Sequence, residues 1–207
     1  MMAHPVLLVL LLVVFIVIVS WYGGNSAPLT QQEIAAFFDQ LHQYPLELDH
    51  SELLPQIATL LENDDGREFV MANLIKYRDQ AQYPASYTQQ HSASALAADR
   101  RYGRLFLPKL LRYANIPLFY AFRRGSFIEA AGQEYWQAVA LVRYRSRRDF
   151  LRSVTAIMGK NVSVHKWAAI QTTLVFPVRP VISLFFIRTL LALGLFSVYA
   201  LMCWVTV

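Results

Sequence analysis

The chain has 207 residues, 56% of them hydrophobic, and a mean hydropathy of +0.32. A water-soluble domain is about 45–50% apolar, so the excess needs a location, and it lies at the two ends. Nineteen Lys and Arg against 14 Asp and Glu give a net charge of +5; the single cysteine, Cys203, excludes an internal disulfide, and no metal-type Cys/His spacing occurs.

Val6 to Val19 is an unbroken run of aliphatic residues and Phe, followed by Ser20, Trp21 and Tyr22. Counted from Ala3 it is about 20 residues, enough to cross the hydrocarbon layer. Trp21 and Tyr22 sit where an interfacial aromatic belt belongs. A cleavable signal peptide is the competing reading, with Asn25-Ser26-Ala27 as its cleavage site. The run's length and the lack of Lys or Arg before it favour an uncleaved anchor.

Gly23 to Pro28 reads as a short flexible exit. Thr30 and Glu33 then form a capping box, opening a helix with Ile34, Phe37, Phe38 and Leu41 on one stripe. A second short helix is predicted over Ser51–Leu61, and Asn63-Asp64-Asp65-Gly66 is a turn signal. Glu68–Tyr77 is a near-continuous apolar run of strand length, with Asn73 as its polar exception. A long helix is predicted from about Tyr87 to Ala114, its buried face carrying Tyr102, Phe106, Leu110 and Tyr113, with Pro108 expected to kink or break it. Ile116–Phe122 and Gln137–Tyr144 are the next strands. Ser146 and Asp149 cap a short helix, a further helical turn covers Val164–Ile170, and Thr172–Val178 is the last strand.

The second hydrophobic segment, Val181–Val207, is broken only by Arg188, and Thr189–Val207 holds 19 uncharged residues. Arg188 is expected to snorkel to the head groups, with 181–187 in the interface; the alternative buries it against a partner's acid. Two spans put both termini on one side of a membrane and the domain on the other. Lys166, Arg179 and Arg188 favour a cytoplasmic domain under the positive-inside rule, whereas a signal-anchor reading of the first segment would export it.

The order strand, helix, strand, strand, helix, strand is the split βαβ arrangement of an α+β ferredoxin-like domain, an antiparallel sheet with helices on one face. The expected division is a transmembrane helix over 1–22, a helical lead-in over 23–66, the ferredoxin-like domain over 67–179 and a transmembrane helix over 181–207. The uncovered sheet face calls for a partner, and pairing with a second copy is the usual solution.

Phe69–Arg78, Tyr83, Tyr87, Arg100–Gly103 with Pro108, Trp136–Leu151 and His165–Ala169 together resemble the dimeric α/β-barrel superfamily, and within it an uncharacterised branch of small bacterial domains. The resemblance covers roughly Glu68 to Val178. It implies a ferredoxin-like protomer whose sheet pairs with another around a cavity, and it embraces cofactor-independent monooxygenases, haem-degrading enzymes and proteins without known activity. Fold therefore does not choose the function.

Chemistry, where present, falls to a few residues. Asn73 can fix a ligand's polar group or simply bond its neighbours. His165 can act as a general base or can be a cap or surface residue; His91, beside Ser92 and Ser94, has a weaker claim. Arg143 can bind a carboxylate or phosphate, or pair with Asp149 or Glu129. Tyr77, Tyr87 and Tyr144 can donate to a ligand, or can be core aromatics. No nucleophilic triad, phosphate loop, dinucleotide fingerprint or zinc motif is present.

Eleven arginines between Arg100 and Arg152 make a basic half, suited to anionic lipid or to an ordinary solvated surface. No nucleic-acid module accompanies them. The expected function is a membrane-anchored accessory or self-associating subunit, in a bacterial inner membrane with two spans. It is a homodimer or part of a larger membrane complex, partnered by lipid and needing no cofactor. The alternative is a cofactor-independent oxygenase or isomerase acting on a small apolar or aromatic molecule, with Asn73, Tyr87, Arg143 and His165 meeting in one pocket.

Overall fold

The computed structural model describes residues 3–22, 27–43, 50–89, 93–129, 132–181 and 187–205. His91, Ser92, Asn25, Ser26 and most of the interfacial segment 181–187 thus lie outside the described residues. Two units are present, one formed by the chain ends and one by residues 26–179.

In the first unit, α1 (Ala3–Tyr22) and α7 (Ile187–Val205) contact each other. At 1.5 Å per residue each is about 30 Å long, and both are long and apolar enough to cross a membrane.

The second unit is α+β. Its antiparallel sheet contains β1 (Phe69–Tyr77), β2 (Ile116–Phe122), β3 (Ala138–Tyr144) and β4 (Ile170–Val178), in the order β2-β3-β1-β4. Central β1, hydrogen-bonded to β3 on one side and β4 on the other, is the apolar run picked out in the sequence. Alternation sends Phe69, Met71 and Tyr144 toward Phe106 and Leu110 of α4 (Ala95–Arg112), where they form one core with Ile157 and Val162. Farther along the same face Ile75, Tyr77 and Ala138 pack against Ala95 and Ala98 of α4 and Ala169 of α6 (Ser163–Ala169).

α4 begins eight residues later than the periodicity predicts. Ser94 accepts a hydrogen bond from the Ala97 amide and caps it. Residues 78–89 instead form a loop tied to α6, where the Arg78 and Gln82 amides donate to the Ala169 and Ala168 carbonyls. Pro108 does not end the helix, which runs on to Arg112. It lies on the exposed side, where the carbonyl deprived of its intrahelical donor can turn to water.

The lead-in helices α2 (Gln31–Gln43) and α3 (His50–Glu62) pack on α5 (Arg147–Thr155) through Ile34, Phe37, Leu41, Leu61 and Leu151. The capping box forms as read: the Thr30 amide donates to Glu33 and the Glu33 amide to Thr30 Oγ1. Arg148 then joins α5 to the lead-in, donating to both Glu33 carboxylate oxygens at 2.7 and 3.0 Å and to the Ala27 and Pro28 carbonyls.

Candidate functional site

His165 is 1% exposed, although a lone histidine near a helix start is more often a surface group. Its position on the first turn of α6 turns the ring inward, against the 78–89 loop. Nδ1 lies 2.9 Å from Tyr83 Oη. In one tautomer the phenol donates to Nδ1; in the other the ring N–H donates to the phenol oxygen. Tyr83 and Tyr87 stack at 5.0 Å, and both meet the imidazole edge-on at 5.6 Å. Burial raises the Tyr83 hydroxyl pKa, with the nearby Tyr87 adding to it and Arg101 opposing. The result is an aromatic box around one imidazole, built from two predicted site residues, His165 and Tyr87, and from Tyr83, which entered the sequence reading only through the resemblance.

A second polar group lies on the same sheet face. Tyr77 Oη donates to Asp99 Oδ2 at 2.8 Å and shares a second 2.8 Å contact with Tyr120 Oη. Burial lifts the Asp99 carboxyl above its usual range, against the hydrogen bond from Tyr77 and the charge of Lys166. Lys166 is held below its ordinary value by burial, which Asp99 partly offsets. Its ammonium lies 4.8 Å from the Trp167 ring centroid. Tyr120 is half exposed, so a chain of hydroxyls runs from the protein edge to a carboxyl whose proton is held more firmly than usual. Such a chain can hold or pass a proton. Tyr77 was foreseen; Asp99 and Tyr120 were not, because neither stands out in a helix or strand pattern.

The remaining candidates do not join these groups. Asn73 is on this face, but its amide donates to the Met71 and Ala140 carbonyls at 3.1 and 3.4 Å, bonding its own sheet. Tyr144 stacks on Phe69 and meets Phe150 edge-on; burial alone raises its pKa. Arg143 pairs in register with Val70, on the opposite face. There it donates to Glu68 from Nε at 2.8 Å and Nη2 at 2.5 Å, and to the Ala114 carbonyl. The expected acids are engaged elsewhere, Asp149 by Arg145 and Arg152, Glu129 by Arg123. One pocket of Asn73, Tyr87, Arg143 and His165 therefore does not form, since the sheet itself separates Arg143 from His165.

That opposite face is the other feature of note. Register aligns Phe119 with Leu141, Leu141 with Ala72, Ala72 with Phe176, and Val139 with Leu74 and Leu174. Phe119, Leu174 and Phe176 are 44%, 47% and 39% exposed. A contiguous apolar face spanning four strands is thus open to solvent.

Two solved structures share the fold. RPA0582, a protein of unknown function from Rhodopseudomonas palustris, and the methylated RPA0582 protein each align with a TM-score of 0.53 at 21% identity. Each alignment covers 64% of this chain, and 95% and 92% of the respective structure. No family model and no curated protein sequence matches the chain.

Proposed function

We propose that the chain is a membrane-anchored, ferredoxin-like accessory subunit that self-associates through the open face of its sheet. The observation that carries this reading is the exposure of Phe119, Leu174 and Phe176 on one continuous apolar face. Such a patch on a soluble surface is a liability, and a second copy laid face to face removes it from water. Two further features support the reading. Taken from the β4 edge, the strand order is β4-β1-β3-β2 with helical crossovers after β1 and β3, the split βαβ pattern of a ferredoxin-like domain. The paired sheets would enclose a barrel, as the sequence resemblance implies. The terminal helices α1 and α7 supply the anchors, in a bacterial inner membrane, and Lys166, Arg179 and Arg188 favour the domain on the cytoplasmic side.

Native mass spectrometry of the full chain, released from mild detergent, tests this. The wild type is expected as a dimer, alone or within a larger assembly, and Leu174→Glu with Phe176→Glu as a monomer with unchanged far-UV circular dichroism. A monomeric wild type, or a double variant that remains dimeric, overturns the reading.

The aromatic box favours a second reading, a cofactor-independent oxygenase or isomerase acting on a small apolar or aromatic molecule. A buried imidazole held by one phenol and flanked by two rings is an arrangement that can take a proton from such a substrate. This reading expects a small molecule retained by the wild type and lost from His165→Gln; an unaltered protein mass in both would refute it.

A further inference from the structure

A cleft of about 380 Å³ opens between α4 and the 78–89 loop, lined by Tyr83, Ala97, Ala98, Arg101, Arg104 and Leu105. Neither Tyr87 nor His165 lines it, and Tyr83 is the residue it shares with the aromatic box. The sheet-face association proposed above does not use it.

Three observations point to what it takes. The first is charge. α4 carries one acid, Asp99, and that carboxylate is turned inward to Tyr77, so the charged groups of α4 that line the cleft are Arg101 and Arg104. Arg101 and Arg104 are three residues apart, neighbours on one helix face with Cβ atoms about 5–6 Å apart. Both line the cleft, and two guanidinium groups on one wall suit one small anion. Arg104 makes no ion pair with the described residues.

The second is the rest of the lining. Ala97 and Leu105 are apolar, and the buried Ala98 lies beneath them, so the floor beside the two cations is a surface for hydrocarbon rather than for a second charged group. A solvated arginine face needs no such floor.

The third is rigidity. Tyr83 is stacked on Tyr87 and hydrogen-bonded to His165, and its loop is tied to α6 by the Arg78 and Gln82 amides. One wall is thus fixed before any ligand arrives, which lowers the ordering cost of binding. The charge of Arg101 is felt at the Tyr83 hydroxyl, which places the cationic side of the cleft within electrostatic reach of that wall.

We propose that this cleft binds a phosphate or carboxylate head group carried on a short apolar chain, the head between Arg101 and Arg104 and the chain over Ala97 and Leu105. The volume fits a head group and a few carbons and lies at the small end of ligand pockets. Because Tyr83 shares a hydrogen bond with His165, occupancy is reported to the imidazole: a ligand against Tyr83 changes the environment of Nδ1.

The test uses the full chain in nanodiscs of zwitterionic phosphatidylcholine, with ring-labelled histidine read by NMR. Hexyl phosphate supplies the head and tail in free form. Nanodiscs that include phosphatidic acid supply the same head from the bilayer. A saturable shift of the His165 ring signals with hexyl phosphate supports the site with a free ligand; the same shift with phosphatidic acid alone supports it with a lipid. In either arm Arg101→Gln with Arg104→Gln is expected to weaken binding at least about tenfold, the equivalent of one charge-assisted hydrogen bond. Lys109→Gln with Arg112→Gln removes the same charge from the far end of α4 and is expected to leave binding unchanged. No shift in either arm, or equal weakening by the two double variants, overturns the proposal.

Discussion

Tyr77 Oη and Asp99 Oδ2 lie 2.8 Å apart, joining the central strand to the first turns of α4 across the face of the sheet. The phenol has a second partner in Tyr120, also at 2.8 Å, so one hydroxyl ties together β1, β2 and α4. Burial, the Tyr120 contact and the nearby Asp99 charge all push the Tyr77 hydroxyl far above its usual titration range, and it stays protonated as the donor.

Tyr77→Phe keeps the ring and removes the hydroxyl, leaving Asp99 without its donor. Loss of a hydrogen bond to a partly buried carboxylate costs about 1.5–3 kcal/mol. Urea denaturation of the full chain in detergent is expected to show a loss of that size with an unchanged m-value. A change below about 0.5 kcal/mol, the scatter of surface substitutions, would show that water replaces the phenol without cost.

Asp99 also predicts a pH dependence. Its folded-state pKa is raised above the ordinary 3.8, so the folded protein holds this proton more firmly than the unfolded chain. The associated stability is fully present below about pH 3.8 and is lost as pH rises from there through the raised folded value. Asp99→Asn removes the ionisation, and the difference in stability between variant and wild type is expected to shift in the variant's favour over that interval. A difference that stays constant with pH would contradict the assignment.

Glu33 behaves in the opposite sense. Arg148 and the Thr30 amide lower its pKa from 4.5 to about 2, so its contribution is present above about pH 4.5 and lost as pH falls toward 2. The Glu33 side chain is 39% exposed, and solvent screening limits such a pair to about 0.2–1 kcal/mol. Glu33→Gln is expected to lose no more than that at neutral pH and to converge with the wild type near pH 2. Arg148→Ala is expected to cost more, because it also frees the Ala27 and Pro28 carbonyls.

Arg143 separates a structural role from a binding one. It is 2% exposed and paired with Glu68. Removing one partner of a buried pair costs about 3–5 kcal/mol because the other charge is stranded; Glu68 retains some exposure, so Arg143→Ala is expected near the lower end. Replacing both residues by Arg143→Met and Glu68→Leu is expected to recover most of that loss. Failure of the double variant to recover would mean that Arg143 has work beyond the pair.

The sheet was legible because its strands are apolar runs of strand length bounded by turn residues, and the α2 start because Thr30 and Glu33 sit at capping-box spacing. The start of α4 was not. Residues 87–94 hold neither Gly nor Pro, so nothing local ends the helical pattern there, while Tyr87 is held out of any helix by Tyr83 and His165. Site residues divide in the same way. His165 was visible as a reactive side chain in a suitable place, but its partner Tyr83 is 82 residues away. Arg143 stood six residues from a plausible acid in Asp149, yet its partner is Glu68, 75 residues away. The first pairing is set by how the 78–89 loop docks on α6 and the second by strand register, and one sequence displays neither.

Asn115 was missed altogether, and it makes the sharpest stability prediction. It follows Ala114, whose φ of 56° turns the chain from α4 into β2, and it is fully buried. Its Nδ2 donates to the Asp149 carbonyl and its Oδ1 accepts from the Arg145 amide, both at 3.0 Å. One side chain thus satisfies backbone groups on both sides of the Ser146 cap that starts α5. Asn115→Ala strands a partly buried amide, at about 1–3 kcal/mol, and takes from the Asp149 carbonyl the donor it has besides its helical one, at about 0.5–1.5 kcal/mol; it is expected to cost about 2–4 kcal/mol in urea denaturation. Because α5 carries Arg147 and Arg148, which hold Asp64 and Glu33, the loss is expected to reach the lead-in. Hydrogen exchange in α2 and α3 should then speed up in the variant more than exchange in β1. Equal acceleration in both would show that Asn115 stabilises the unit as a whole and has no particular hold on the lead-in.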